Sequence, residues 1–185
     1  MKEVYVVGIT GGSGSVLGIR LLENLKDYEV HLAISESANR VLELETDYKI
    51  DYVESMATHT YDDKDIAARI SSGSFRFNAM VIIPCSISTL GKISSGISDT
   101  LITRSAAVAL KERRRLILVP REMPLSTIVL ENMHRLSRDG AIIAPAISGY
   151  YNRPKTSQEM IDFVVSRILD LMGVENDLMK RWKSG

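Results

Sequence analysis

Apolar runs rich in β-branched residues, at positions 3–9, 29–34, 79–84, 115–119 and 141–145, alternate with segments of helical periodicity near 14–26, 35–46, 86–94, 99–112, 124–138 and 156–172. Within the runs the apolar residues are consecutive, so both faces of each strand are expected to be covered. Strand and helix in alternation predict an α/β domain built on a doubly wound parallel sheet with helices on both faces. The segment 47–78 fits neither period, and Ser71-Ser72-Gly73-Ser74 within it reads as a flexible surface loop. The 185 residues suit a single domain, 1–185.

Composition narrows the function more than the fold. Charged residues make up 25% of the chain and the formal net charge is zero, which leaves no basic field for nucleic acid. The longest apolar runs, Met80–Pro84 and Leu116–Pro120, are far too short to cross a bilayer, and the chain opens on a strand instead of a signal sequence. A soluble, cytoplasmic protein with no membrane contact is expected. The single cysteine, Cys85, excludes an intrachain disulfide, while His31, His59 and His134 lie scattered without metal-ligand spacing, so no metal is implied.

In sheets of this kind ligands bind beyond the carboxyl ends of the strands. The informative positions are therefore Thr10–Ser15, Ser35, Cys85–Thr89, Arg121–Glu122 and Ala146–Tyr151. Gly8-Ile9-Thr10-Gly11-Gly12-Ser13-Gly14-Ser15 joins the first strand to the first helix, and its free N–H groups and the positive helix end suit a phosphate. Its spacing departs from the dinucleotide fingerprint: Leu17 stands where the third glycine belongs, Gly18 comes one residue late, and the second strand ends in Ser35 instead of an acid. A hydroxyl there fits a mononucleotide phosphate better than an NAD ribose. A plain strand-to-helix turn is the competing reading of the glycines.

Ser86, Ser88 and Thr89 of Pro84-Cys85-Ser86-Ile87-Ser88-Thr89 could grip a phosphate or a flavin edge, or Ser86 could simply cap a helix. Cys85 reads as a small buried hydrophobe. Arg113–Arg115 read as a solvated helix end, with Lys111 held back for function. Arg121 suits a phosphate clamp and Glu122 a general acid or base, against an ordinary salt bridge between the two. Tyr150-Tyr151-Asn152-Arg153, with Arg167 on the next helix, suits a substrate with an apolar body and an anionic head, although packed tyrosines are commoner.

Taken in order, the glycine loop, Ser35, Pro84-Cys85-Ser86-Ile87-Ser88-Thr89-Leu90, Leu110-Lys111-Glu112-Arg113-Arg114, Val119-Pro120-Arg121-Glu122-Met123-Pro124-Leu125, Leu130-Glu131-Asn132-Met133, and Tyr151 with Pro154 resemble the UbiX-like flavin prenyltransferases over nearly the whole chain. The resemblance implies a Rossmann-like (flavodoxin-like) subunit that binds FMN and assembles as a homododecamer. It implies transfer of a dimethylallyl group from dimethylallyl monophosphate to N5 and C6 of reduced FMN, without a metal, giving prenylated FMN for UbiD-type decarboxylases. By the same resemblance the FMN site falls on Gly11, Gly12, Ser13, Ser35, Ser86, Ile87, Ser88, Thr89 and Arg121, and the donor site on Lys111, Arg104, Tyr151 and Arg167. Glu122 matches the acid/base carboxylate. Ser13 and Glu45 match positions that handle the N5 proton and orient the flavin. Trp182 matches an aromatic near the prenyl pocket, so the tail 174–185 is expected to cover the active site or a subunit interface.

Three departures stand out: Gly12 replaces a usual alanine, Tyr150 a phenylalanine, and Arg104-Ser105-Ala106-Ala107 lacks the aspartate that ordinarily follows Ala-Ala. Two alternatives remain at this point. One is an FMN-dependent cysteine decarboxylase-like flavoprotein, whose Pro-x-Met-Asn-x-x-Met-Trp motif is absent; the other is a flavin-binding carrier, which would have no need of a donor-phosphate site.

Overall fold

The computed structural model describes residues 2–180. Six strands, β1 (Val4–Ile9), β2 (Glu29–Ile34), β3 (His59–Asp62), β4 (Ala79–Cys85), β5 (Arg115–Pro120) and β6 (Ile142–Ile143), form one sheet in the order β3-β2-β1-β4-β5-β6. Every pairing is parallel. This is the doubly wound Rossmann order, with its switch point between β1 and β4.

Because side chains alternate along a strand, each apolar run feeds two cores. Val7, Ile9, Leu32, Val81 and Val119 face helices α1 (Ser15–Glu23), α2 (Glu36–Glu45), α3 (Ile50–Ser55) and α7 (Ser157–Met172). Val6, Met80, Ile82, Leu116 and Leu118 face α4 (Ile87–Ser94), α5 (Leu101–Lys111) and α6 (Thr127–Arg138). The consecutive apolar pattern thus reports a sheet buried on both sides. Among the described residues no helix is long and apolar enough to cross a membrane.

The structure differs from the sequence expectation mainly between residues 47 and 78. That stretch contains α3, β3 and a single 3-10 turn, Arg69–Ser71. The serine-rich segment is pinned, not loose: Arg114 donates from Nη1 to the carbonyl of Phe75 and from Nη2 to that of Gly73, and stacks 5.0 Å from the Phe77 ring centre. Arg115 donates to the Met172 carbonyl at 3.0 Å. The arginine run is therefore a set of structural clamps, and not only a solvated helix end. The fifth predicted run shrinks to the two residues of β6.

Helix α1 lies unusually close to the sheet. A Cβ on Gly18 would stand 2.7 Å from the Ile83 carbonyl oxygen and 3.0 Å from Ile9 Cδ1. Gly18 thus performs the close-packing role of the third fingerprint glycine, one residue late. Gly18→Ala is expected to cost about 1–3 kcal/mol of stability despite the better helix propensity of alanine, read as a lower urea midpoint.

Candidate flavin site

Where β1 and β4 part, their loops are tied together by one side chain. Thr10 Oγ1 donates to the Pro84 carbonyl at 2.8 Å and accepts the Ser86 N–H at 2.7 Å, while the Thr10 N–H also reaches Pro84 O at 3.2 Å. Thr10 is buried. It fixes the glycine loop beside Ser86, and Thr10 with Ser86, Ser88 and Thr89, 70-odd residues on, faces one opening, with Gly11–Ser13 just outside its lining.

That opening is a polar cleft of 1080 Å³ lined by Thr10, Ser35, Ser37, Ser86, Ser88 and Thr89 among others. Ser35 caps α2 by accepting the Ala38 N–H, and Ser86 caps α4 by accepting the Thr89 N–H, both at 3.2 Å. Capping therefore does occur, as the plainer reading held, but it leaves the N–H groups of Glu36, Ser37, Ile87 and Ser88 without protein partners among the described residues. These are donors at positive helix ends, suited to an anionic or carbonyl-bearing ligand.

The end of α1 is different. Glu45, the last residue of α2, places Oε2 2.8 Å from the Gly14 N–H and 3.4 Å from that of Ser15, capping α1 from another helix. The expectation that the positive end of α1 would face a phosphate is therefore corrected: a carboxylate already occupies it. Partial burial raises the pKa of Glu45, but hydrogen bonds from the Ser13 hydroxyl and from the two backbone N–H groups, with the Arg121 cation beyond, outweigh this and hold it below the ordinary value. Gly11 and Ser13, whose N–H groups have no protein partner among the described residues, remain to meet a ligand.

The fit to a flat mononucleotide rests on this loop. A Cβ on Gly11 would collide with Ser37 Oγ at 2.4 Å, and one on Gly12 would sit 3.5 Å from both Pro84 Cβ and the Ser86 Cα, so the alanine usual at Gly12 would also be accommodated. Thr10 falls within the expected ligand positions Thr10–Ser15, whereas Ser37, in the first turn of α2, carries no sequence signal beyond a hydroxyl close to a strand end.

On the other side of the loop an apolar groove of 960 Å³ runs between Gly14, Leu17, Pro120, Arg121, Glu122, Met123 and Met133. Arg121 Nε donates to the Ser13 carbonyl at 3.3 Å, linking the β5 loop to the glycine loop. Arg121 and Glu122 do not pair with each other; Glu122 Oε1 accepts the Met123 N–H at 3.1 Å and is exposed. Burial pushes the Cys85 thiol up to about 12, so it is inert packing.

The residues expected at the donor site are not brought together within one chain. Arg104 is exposed in the first turn of α5, near the carboxyl edge, where Asp63 holds the helix start through Leu101 and Ile102. Lys111 lies at the far end of the same helix, at the amino edge, paired with Glu112 at 2.5 Å. Arg167 pairs with Asp170 at 2.9 Å on α7, toward the end held by Arg115. Tyr151 packs edge-on against Phe163, 5.7 Å between ring centres. Of the tail, Val174 is buried and Leu178 packs on the core, whereas Trp182 lies outside the described residues.

The Rossmann order, the polar cleft at its switch point and a glycine loop in which Gly11 has no room for a Cβ beside Ser37 are the features of a nucleotide-binding α/β protein. Comparison with known proteins agrees. The Flavoprotein family model matches residues 1–170. The flavin prenyltransferase UbiX of Thermoplasma acidophilum is 61% identical over 177 residues, 96% of this chain and 98% of that one. The crystal structure of AnUbiX in complex with FMN and dimethylallyl pyrophosphate superposes with a TM-score of 0.98 at 42% identity, covering 100% of both chains. A dodecameric FMN-dependent UbiX-like decarboxylase from Escherichia coli O157:H7 follows at 0.95 and 46% identity, covering 98% of this chain and 100% of that one. The chain belongs to the UbiX-like flavin prenyltransferases of the flavoprotein family.

A group whose folded pKa is lowered stabilises the fold above its unfolded pKa and loses that contribution as pH falls through the folded value. Glu45→Gln is accordingly expected to lower the urea midpoint at neutral pH, with the gap to the parent closing below the ordinary Glu value of 4.5. A gap independent of pH would assign the effect to packing.

Proposed function

We propose that this protein transfers a dimethylallyl group from dimethylallyl phosphate to N5 and C6 of reduced FMN. The observation that carries the reading is the glycine loop, with Thr10 lining a polar cleft roomy enough for a mononucleotide and Gly14 lining an apolar groove that includes Glu122. Ser35, Ser37 and the free N–H groups of α2 and α4 hold the phosphate and polar chain. Gly11, Gly12 and Ser13 lie against the ring system, with Arg121 closing the far side.

Reduced FMN supplies the two nucleophilic centres. The allylic C–O bond breaks with its electron pair leaving on the phosphate, and the two bonds formed, to N5 and to C6, each displace a proton. One proton is taken up by the alkene and the other leaves with the phosphate, so the balance closes. Ser13 Oγ, hydrogen-bonded to Glu45, is placed to relay the N5 proton, and the ionised carboxylate orients the hydroxyl by accepting its hydrogen bond. Glu122 takes the C6 proton or protonates the departing phosphate.

Stabilising that phosphate is the task of Lys111, Arg104, Tyr151 and Arg167. One chain keeps them apart, which supports a site completed between copies. Met123, Ile147 and Tyr150, 88%, 73% and 73% exposed, line the groove with apolar surface of the kind an interface covers. We take the assembly to be a homododecamer, as in the E. coli relative, with 1–185 forming one domain and the tail from 174 lying over the site or an interface. The product, prenylated FMN, goes to a UbiD-type decarboxylase in the cytoplasm.

Anaerobic incubation with reduced FMN and dimethylallyl monophosphate, with the diphosphate as a parallel arm, is expected to yield a flavin heavier by one C5H8 unit. An unchanged mass in both arms overturns the reading. Glu122→Gln is expected to retain FMN while slowing transfer by ~10²–10⁴-fold in single-turnover measurements. Equal rates would remove Glu122 from the chemistry.

A further inference from the structure

The histidines that look scattered in sequence are not scattered in space. Strands β2 and β3 pair in parallel with His31 opposite His59, and Glu29, two residues before His31, shares its face. The two imidazole rings stand 4.7 Å apart. Glu29 Oε1 is 3.0 Å from His31 Nε2 and 3.9 Å from His59 Nε2, and one ligand atom from each residue lies within 4.8 Å of the others. A separation of 28 positions between His31 and His59, across a β–α–β crossover, hides this cluster from any reading of spacing.

We propose that Glu29, His31 and His59 form a binding site for a zinc-class divalent cation. Tetrahedral zinc with bonds of about 2.0–2.1 Å needs its ligand atoms about 3.3 Å apart, and the observed separations bracket that value. The set of two imidazoles and one carboxylate leaves a fourth position for water. Hydrogen bonding alone does not account for the arrangement, because His59 Nε2 is too far from the Glu29 oxygen to donate to it.

The surroundings suit a ligand set. Tyr61 OH lies 2.8 Å from His31 Nδ1, so with a cation on Nε2 the imidazole proton sits on Nδ1 and donates to the phenol oxygen, fixing ring and tautomer. Phe75 backs the ring of His31 edge-on at 4.8 Å and keeps that side dry. The His31 side chain is fully buried, whereas Glu29 and His59 are 30% and 44% exposed and give a cation its way in. Arg69, whose guanidinium stacks on Phe75 at 4.7 Å, is a nearby charge that lowers affinity for any cation. The Glu29 carboxylate within the set offsets it.

Chelator-treated protein titrated with Co²⁺, followed by visible absorption, is expected to take up one ion per chain with the intense bands of a tetrahedral site, and to release it to Zn²⁺. His59→Ala and Glu29→Gln should each weaken uptake by more than ~10-fold, and Tyr61→Phe by about 10-fold, while His134→Ala, on exposed α6, should match the parent. Unchanged FMN binding in each variant confirms that it folds. No uptake by the parent, or equal uptake by His59→Ala, overturns the proposal; loss confined to His134→Ala would place the ion elsewhere and overturn it equally.

Discussion

Everything at the ligand-bearing edge depends on how Thr10 bridges two diverging strands. At the switch point β1 and β4 send their helices to opposite faces of the sheet, so the backbone groups at their ends lose ladder partners together. The Thr10 hydroxyl satisfies one carbonyl and one N–H across that gap. A buried polar group left unpaired costs about 1–3 kcal/mol, so the bridge holds the two loops at one separation and not a range of them. The cleft is thus a property of the sheet's topology, and Thr10, through its hydroxyl and its backbone N–H, ties its two sides together.

Much of this was legible in the sequence because burial on both faces leaves a strong mark. Strands β1, β2, β4 and β5 are nearly continuous apolar runs and fall within a residue or two of their expected bounds. β3 was invisible because it is an edge strand of His, Thr, Tyr and Asp with mostly exposed side chains, and α3 because six residues carry less than two turns of periodicity. Ser13, Ser86 and Arg121 could be found because strand ends point to ligand positions. The cap that Glu45 provides to α1 could not, since the contact spans 31 residues and follows from packing of α1 beside α2.

The residues expected to hold the donor illustrate a different limit. Lys111 and Arg167 each have a carboxylate neighbour at home and sit on opposite faces of the sheet. A motif can be intact along a chain while its geometry belongs to an assembly. The exposed apolar rim of the groove says the same thing in terms of surface: what one copy leaves uncovered is what another must meet.

Glu45 also acts as a filter on the length of the ligand. In dinucleotide-binding relatives of this topology the first helix end is reserved for a pyrophosphate. Here a fixed negative charge stands in that place, so the second phosphate of FAD or NAD would meet repulsion where it needs attraction. The open N–H groups at the starts of α2 and α4 carry no such opposing carboxylate cap. The carboxylate that accepts the Ser13 hydroxyl thereby sets the local charge against a second phosphate at this helix end.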